Sequence, residues 1–326
     1  MRRSLGRSGI EISALGMGCW AIGGPWSDGE VPLGWGEVDD EESIRAIHAA
    51  LERGVDFFDT ANVYGAGHSE RVLGRAIGGR RSEVVIATKF NAVFDEAARL
   101  ATGADTSPEG IRRALEDSLD RLNTDYIDLY QFHDNGFPAE KAVPVRDTLE
   151  ELVASGKIRS YGWSTDFEDR AEVFARGPRC TAIQLQLNVL DDNPEVIALC
   201  ERHDLAAINR GPLAMGLLTD KYTAGTRPSA NDVRGENSPD WMKYFKDGRP
   251  SQEWLVKRDA VREILVSSGR TLAQGSLAWL WARSPRTIPI PGFRTVEQVE
   301  ENAGAMEFGP LTPEQMSEIE RVLERK

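Results

Sequence analysis

Ser107-Pro108-Glu109-Gly110-Ile111-Arg112-Arg113-Ala114-Leu115-Glu116-Asp117-Ser118-Leu119-Asp120-Arg121-Leu122 is followed, after a short break, by Tyr126-Ile127-Asp128-Leu129-Tyr130-Gln131-Phe132-His133. The first run has helical grammar: a serine cap, a proline in the first turn, and Ile111, Leu115, Leu119 and Leu122 on one stripe. The second is short and mostly apolar or aromatic, which reads as a strand. A helix that feeds a strand in this way is the repeating unit of a parallel sheet, because parallel neighbours need a crossover between them.

The unit recurs along the chain. Short β-rich runs at 13–19, 55–60, 84–90, 126–133, 158–164, 182–187, 206–210 and 287–291 give eight expected strands. Between them, Ile44, Ile47 and Leu51 share the face of a segment that starts after Asp39-Asp40 and stops at Gly54. Capping boxes are expected at Thr271 with Gln274, Thr295 with Gln298, and Thr312 with Gln315. Ahead of the repeat, residues 4–12 place turn residues between apolar ones and read as a hairpin.

One segment breaks the rhythm. Residues 224–253 are rich in Gly, Pro, Ser, Asn and charge, yet carry Trp241, Tyr244 and Phe245. Loops beyond about 15 residues tend to be functional or disordered, so this one is read as a cover placed after the seventh strand. The plainer alternative is an insertion whose aromatics pack locally. With no internal repeat and no composition break, the expectation is one domain over 1–326. A (β/α)8 barrel, or TIM barrel, fits the count of units, with an N-terminal β-hairpin, a long loop after strand 7 and an extra C-terminal helix. A doubly wound sheet alternates similarly, and spacing alone leaves it open.

Of the 326 residues 40% are hydrophobic and 28% charged, which excludes disorder as the main state. Lys and Arg number 39 against 52 Asp and Glu, a net charge of −13 that disfavours nucleic acid and anionic membrane as partners but not a small anionic ligand. Cys19, Cys180 and Cys200 are too few and too scattered for a disulfide framework. His48, His68, His133 and His203 form no ligand-spaced cluster, so no metal is expected. No apolar run approaches the roughly 18 residues of a membrane span, and no apolar stretch follows Met1-Arg2-Arg3. The expected location is cytoplasmic.

Barrel loops converge at the carboxyl ends of the strands, so polar residues there are the candidates for chemistry. Strand 2 ends at Asp59 and leads to Tyr64, strand 3 ends at Lys89-Phe90, and strand 4 at His133. Singly, each has an ordinary explanation as a cap, a surface cation or a core histidine. Together they suggest more, because a buried lysine requires a charge partner and Asp59 is placed to supply it. A nearby ammonium is expected to lower the Tyr64 pKa from about 10. Tyr64 would then protonate an oxygen gaining negative charge, with Lys89 stabilising the phenolate, Asp59 aligning Lys89 and His133 donating to the same oxygen. A carbonyl accepting hydride develops such charge. The rival use of Lys89 as a Schiff-base nucleophile is disfavoured by Asp59, which keeps it an ammonium.

The sequence resembles the aldo-keto reductase superfamily over essentially its whole length. The matching stretches are Gly16-Met17-Gly18-Cys19-Trp20, Asp59-Thr60-Ala61-Asn62-Val63-Tyr64-Gly65, Ala87-Thr88-Lys89-Phe90 and Gly156-Lys157-Ile158-Arg159. Further on come Gly211-Pro212-Leu213-Ala214-Met215-Gly216-Leu217-Leu218 and Ile290-Pro291-Gly292-Phe293-Arg294, ending in Glu301-Asn302. The resemblance implies a (β/α)8 barrel, a catalytic tetrad of Asp59, Tyr64, Lys89 and His133, and a nicotinamide cofactor, NADPH or else NADH, bound without a Rossmann domain. No G-x-G-x-x-G opens a βαβ unit here.

From the residues themselves, Gly292, Arg294 and the helix start at Thr295 suit a phosphate. The resemblance assigns Gly292, Arg294, Gln298, Glu301 and Asn302 to the adenosine phosphate, and Gly211, Pro212, Leu213, Ala214 and Lys221 to the pyrophosphate. It assigns Ser164 and Gln184 to the carboxamide, and adds Cys19, Trp20 and Asp59 to the cofactor contacts. Two departures stand out: Arg210 replaces the stacking Tyr or Trp of relatives, and Thr165 a common Asn. A cation at Arg210 is expected to disfavour the oxidised, positively charged nicotinamide. Trp20, Tyr64, Phe90, His133 and Trp241 are the expected pocket walls for a small carbonyl or alcohol substrate. The leading expectation is an NADPH-dependent aldehyde or ketone reductase. The alternative is a cofactor-sensing partner subunit with weak reductase activity.

Overall fold

Side chains on a strand alternate between its two faces, and in this barrel the alternation separates two apolar clusters. The computed structural model describes residues 1–325. Eight parallel strands form one sheet: β1 (Gly16–Gly18), β2 (Phe57–Asp59), β3 (Val85–Phe90), β4 (Ile127–Phe132), β5 (Ile158–Ser164), β6 (Cys180–Gln186), β7 (Ala206–Arg210) and β8 (Thr287–Pro289). The sheet closes on itself where the Gly18 N–H donates to Pro291 O at 2.9 Å and Gly18 bridges Gly292. A Cβ on Gly18 would lie 2.8 Å from Ile290 O, so this seam needs a residue without one.

Inside the barrel, Phe57, Val85, Ala87, Leu129, Ala182, Ala206, Ile208 and Ile288 form one buried cluster. The antiparallel hairpin Arg2–Ser4 with Glu11–Ser13 caps its amino-terminal end, contributing Leu5 and Ile12 to the same cluster. The intervening residues Phe58, Ile86, Phe90, Tyr130, Phe132, Ile183 and Ala207 face outward into the larger cluster beneath the helices. The helix Asp40–Glu52 is capped by Asp39, which accepts from the Glu41 and Glu42 N–H groups, and Pro108–Leu122 is capped by Ser107. The (β/α)8 architecture, the hairpin and the extra helix Pro313–Val322 are therefore present as the alternation implied. Among the described residues no helix is long and apolar enough to cross a membrane.

Two expectations change in detail, and one element is additional. The boxes at Thr271 and Thr312 are complete, but at Thr295 only half of one forms. Gln298 reaches one residue further and its Oε1 accepts from the Arg294 N–H at 2.7 Å, fixing the loop before the helix rather than its cap. The hairpin Ala92–Asp95 with Leu100–Ala104, after β3, has no counterpart in the sequence reading. The long segment after β7 divides: Tyr244 and Phe245 are buried and pack locally, whereas Trp241 is 56% exposed and reaches Trp20, with ring centroids 6.2 Å apart. This segment is pinned where Arg234 donates to Asp232 and lies 4.3 Å over the Trp35 ring.

Between β2 and the helix His68–Ala76, residues Gly65, Ala66 and Gly67 all have positive φ, a tight turn that sets Tyr64 at the carboxyl rim. A Cβ on Gly65 would meet Gly23 O at 1.9 Å. Gly65→Ala is expected to cost about 3 kcal/mol in urea unfolding, combining overpacking with backbone strain; a loss below about 1 kcal/mol would show that the turn relaxes freely.

Candidate active site

On five of the strands the inward face turns from apolar to polar near the carboxyl end. Phe57 is followed by Asp59, Ala87 by Lys89, Leu129 by Gln131, Ala182 by Gln184 and Ile208 by Arg210, each two residues further toward the carboxyl end. Hydrogen bonds gather four of these groups, Lys89, Gln131 and Gln184 around Asp59, while Arg210 lies further out at the rim. Lys89 is fully buried, and its ammonium spends its three protons on Asp59 Oδ1 at 2.5 Å, Thr60 O at 2.8 Å and Tyr64 Oη at 3.4 Å. The second oxygen of Asp59 accepts from Gln131 Nε2 at 2.9 Å and Gln184 Nε2 at 2.7 Å. The carboxylate is thus dry but satisfied, as a buried ion pair requires.

The mouth lies above this layer. Trp20 stacks beside Tyr64 with centroids 5.9 Å apart, and His133 meets the Tyr64 ring edge-on at 5.9 Å. Burial pushes the Tyr64 phenol above its ordinary pKa; Lys89 pulls it down, Asp59 pushes it up, and the net direction is upward. The expected lowering is therefore corrected: without a ligand Tyr64 is a neutral phenol with its proton in place. Burial opposes the charge on Lys89, but Asp59 and Tyr64 outweigh it, and the ammonium titrates above its usual value. Burial, then Lys89 and Arg210, hold His133 well below the usual imidazole range, so it is a neutral ring that can donate from one nitrogen.

Phe90 is a correction. Next to inward-facing Lys89, it points outward, fully buried and stacked on Tyr130 at 4.7 Å and Phe132 at 5.5 Å, away from the pocket. Cys19 is also wholly buried, its thiol donating to Met17 O, and offers no surface to a ligand. Arg210 lies at the rim, but its guanidinium pairs with Asp166 and donates to Gln186 Oε1 at 3.2 Å. Asp166 is itself fixed by the Gln186 N–H at 2.6 Å and by Asn135. The cation expected there is present but ion-paired with Asp166, which weakens its field at the rim without removing it. Sequence reasoning gave no role to Gln131 or Asp166. The two-residue step from Leu129 to Gln131 was the available signal for the first; only the folded loops reveal the second.

Around the rim, Ser164 is buried at the end of β5 beside Gln184, and Gly211 to Ala214 follow β7. Beyond them a cavity of about 270 Å³ is lined by Val38, Asp39, Glu42, Lys221, Arg294, Thr295 and Gln298. Arg294 is anchored on the carbonyls of Trp35 and Glu37. Neither Arg294 nor Lys221 has a carboxylate partner among the described residues, and burial together with Arg234 and Arg294 depresses the Lys221 ammonium. Two unrelieved cations at a helix start fit the phosphate of a dinucleotide. Glu301 and Asn302 lie on that helix, where Asn302 Nδ2 donates to Gly292 O at 3.5 Å.

Residues 14–324 match the Aldo/keto reductase family. The chain belongs to this family. It is 32% identical over 310 residues to the aldo-keto reductase YhdN of Bacillus subtilis (strain 168), covering 91% of this chain and 86% of that one. Its fold superposes on a glycerol dehydrogenase from Gluconobacter oxydans with a TM-score of 0.82 at 29% identity, covering 99% and 94% of the two chains. An aldo/keto reductase from Klebsiella pneumoniae in complex with NADP and acetate gives 0.72 at 25% identity, covering 99% and 96%. This aldo/keto reductase is accordingly an NAD(P)H-dependent oxidoreductase.

Two measurements test the site's electrostatics. Lys89→Met strands a buried carboxylate and is expected to cost about 3–5 kcal/mol in urea unfolding, most of it recovered in Lys89→Met/Asp59→Asn; additive losses would mean the two groups do not support each other. An unfolded His133 gains a proton below about pH 6.5 that the folded ring refuses, so this site lowers stability as pH falls, by up to about 1.4 kcal/mol per unit. His133→Asn should therefore flatten the decline in unfolding free energy between pH 7 and 5, and parallel declines would contradict the burial of a neutral ring.

Proposed function

We propose that the chain reduces an aldehyde or ketone to the alcohol, reversibly, using NADPH, with Tyr64 as the general acid. The observation that carries this reading is the buried relay Asp59, Lys89, Tyr64, which ends in a protonated phenol at an aromatic mouth. A bound reduced nicotinamide supplies the hydride. The chain's own residues do the rest. Tyr64 and neutral His133 hold the carbonyl oxygen by hydrogen bonds, which strengthen as negative charge builds on it. Tyr64 gives up its proton to that oxygen, and the phenolate left behind is stabilised by the Lys89 ammonium 3.4 Å away. Asp59, held by Gln131 and Gln184, keeps Lys89 charged and pointed at the phenol.

Lys89 has no lone pair to attack a carbonyl, because its pKa is raised and its protons are all engaged; this favours proton relay over Schiff-base chemistry. Trp20 and Trp241 supply flat apolar walls for the substrate, with Trp241 on the long segment after β7. Arg294 and Lys221 would take the 2′-phosphate or pyrophosphate, and Ser164 and the free Gln184 Oε1 would take the carboxamide. The NADP complex of the Klebsiella relative and the resemblance of the two folds support this choice of cofactor.

Tyr64→Phe removes the proton while keeping the ring. It is expected to lower turnover of carbonyl substrates by about 10³-fold, with NADPH dissociation constants within about threefold of wild type; near-complete retention of turnover would overturn the assignment.

A further inference from the structure

The cavity that holds Lys221 and Arg294 also holds a carboxylate that the phosphate assignment does not use. Glu42 sits in the first turn of the helix Asp40–Glu52, and its Oε1 accepts from the Val296 N–H at 3.0 Å. Val296 opens the helix Val296–Phe308, so this carboxylate already occupies an anion-seeking backbone donor on a segment far away in sequence. Its Oε2 is bonded by Arg45 at 2.6 and 3.1 Å, and this backbone donor and Arg45 hold Glu42 below the usual carboxylate range, hence charged. Asp39, the other acid of the cavity wall, is committed to capping its own helix.

We propose that Glu42 is a specificity-determining residue for the dinucleotide: its charge, placed in the cavity expected to take the 2′-phosphate, penalises NADPH against NADH. The inference rests on the cofactor reading above. A phosphate monoester adds between one and two negative charges where NADH has a hydroxyl, and the two forms feel Glu42 differently for that reason alone. Lys221 and Arg294 attract the phosphate and Glu42 opposes them, which brings the two cofactors closer in affinity than the two cations would by themselves.

Isothermal titration of the full chain with NADP+ and with NAD+ at low salt tests this. Glu42→Gln keeps an oxygen for the Val296 N–H while removing the charge and with it the ion pair to Arg45, and Glu42→Ala removes the oxygen as well. NADP+ is expected to bind about fivefold more tightly to each variant, the size of one charge acting across a solvated cavity, with NAD+ unchanged within about twofold. Wild-type selectivity retained in Glu42→Gln, or a loss shared equally by both dinucleotides, overturns the inference and makes Glu42 a helix tie. Absence of binding of either dinucleotide to the wild type would instead overturn the cofactor reading, and the inference with it.

Discussion

An ammonium in a dry barrel is tolerable only beside a carboxylate, and the carboxylate only if its remaining oxygen is satisfied. The pair of Lys89 and Asp59 therefore dictates much of what surrounds it. Gln131 and Gln184 come in from two further strands to complete the acid, Thr60 turns its carbonyl inward, and Tyr64 is the one partner of Lys89 that reaches the mouth. A fully buried charge is in this way connected to the mouth by a phenol, and the chemistry sits where the relay meets the outside.

The fold was legible because its signals are local and repeated. A serine cap, a proline in the first turn and an apolar stripe at 107–122 need no tertiary information, and eight such units leave few architectures. Asp59, Tyr64, Lys89 and His133 were legible for the same reason: each ends a strand or follows one closely. What escaped depends on register and on contacts between distant segments. Phe90 was misplaced because one step along a strand reverses the face, and Lys89 already occupied the inner one. The direction of the Tyr64 pKa failed because sequence shows the neighbouring ammonium but not the depth of burial, which wins. Asp166 and Glu42 act on groups reached only through loops and helix ends that sequence spacing does not bring together.

Arg210 shows how a local departure can be absorbed. A cation replaces an aromatic ring at the rim, yet Asp166 stands against it, tied in turn by Gln186 and Asn135. The rim gains a polar network instead of a bare positive charge, and any stacking partner meets a guanidinium held in an ion pair.

The hairpin at the amino terminus has a consequence for traffic. Leu5 and Ile12 stopper the floor of the barrel with side chains that belong to its own core, so that end is packed shut. The polar layer is therefore approached from the carboxyl rim alone in this part of the barrel, where Tyr64 lies beside Trp20 and Trp20 beside Trp241.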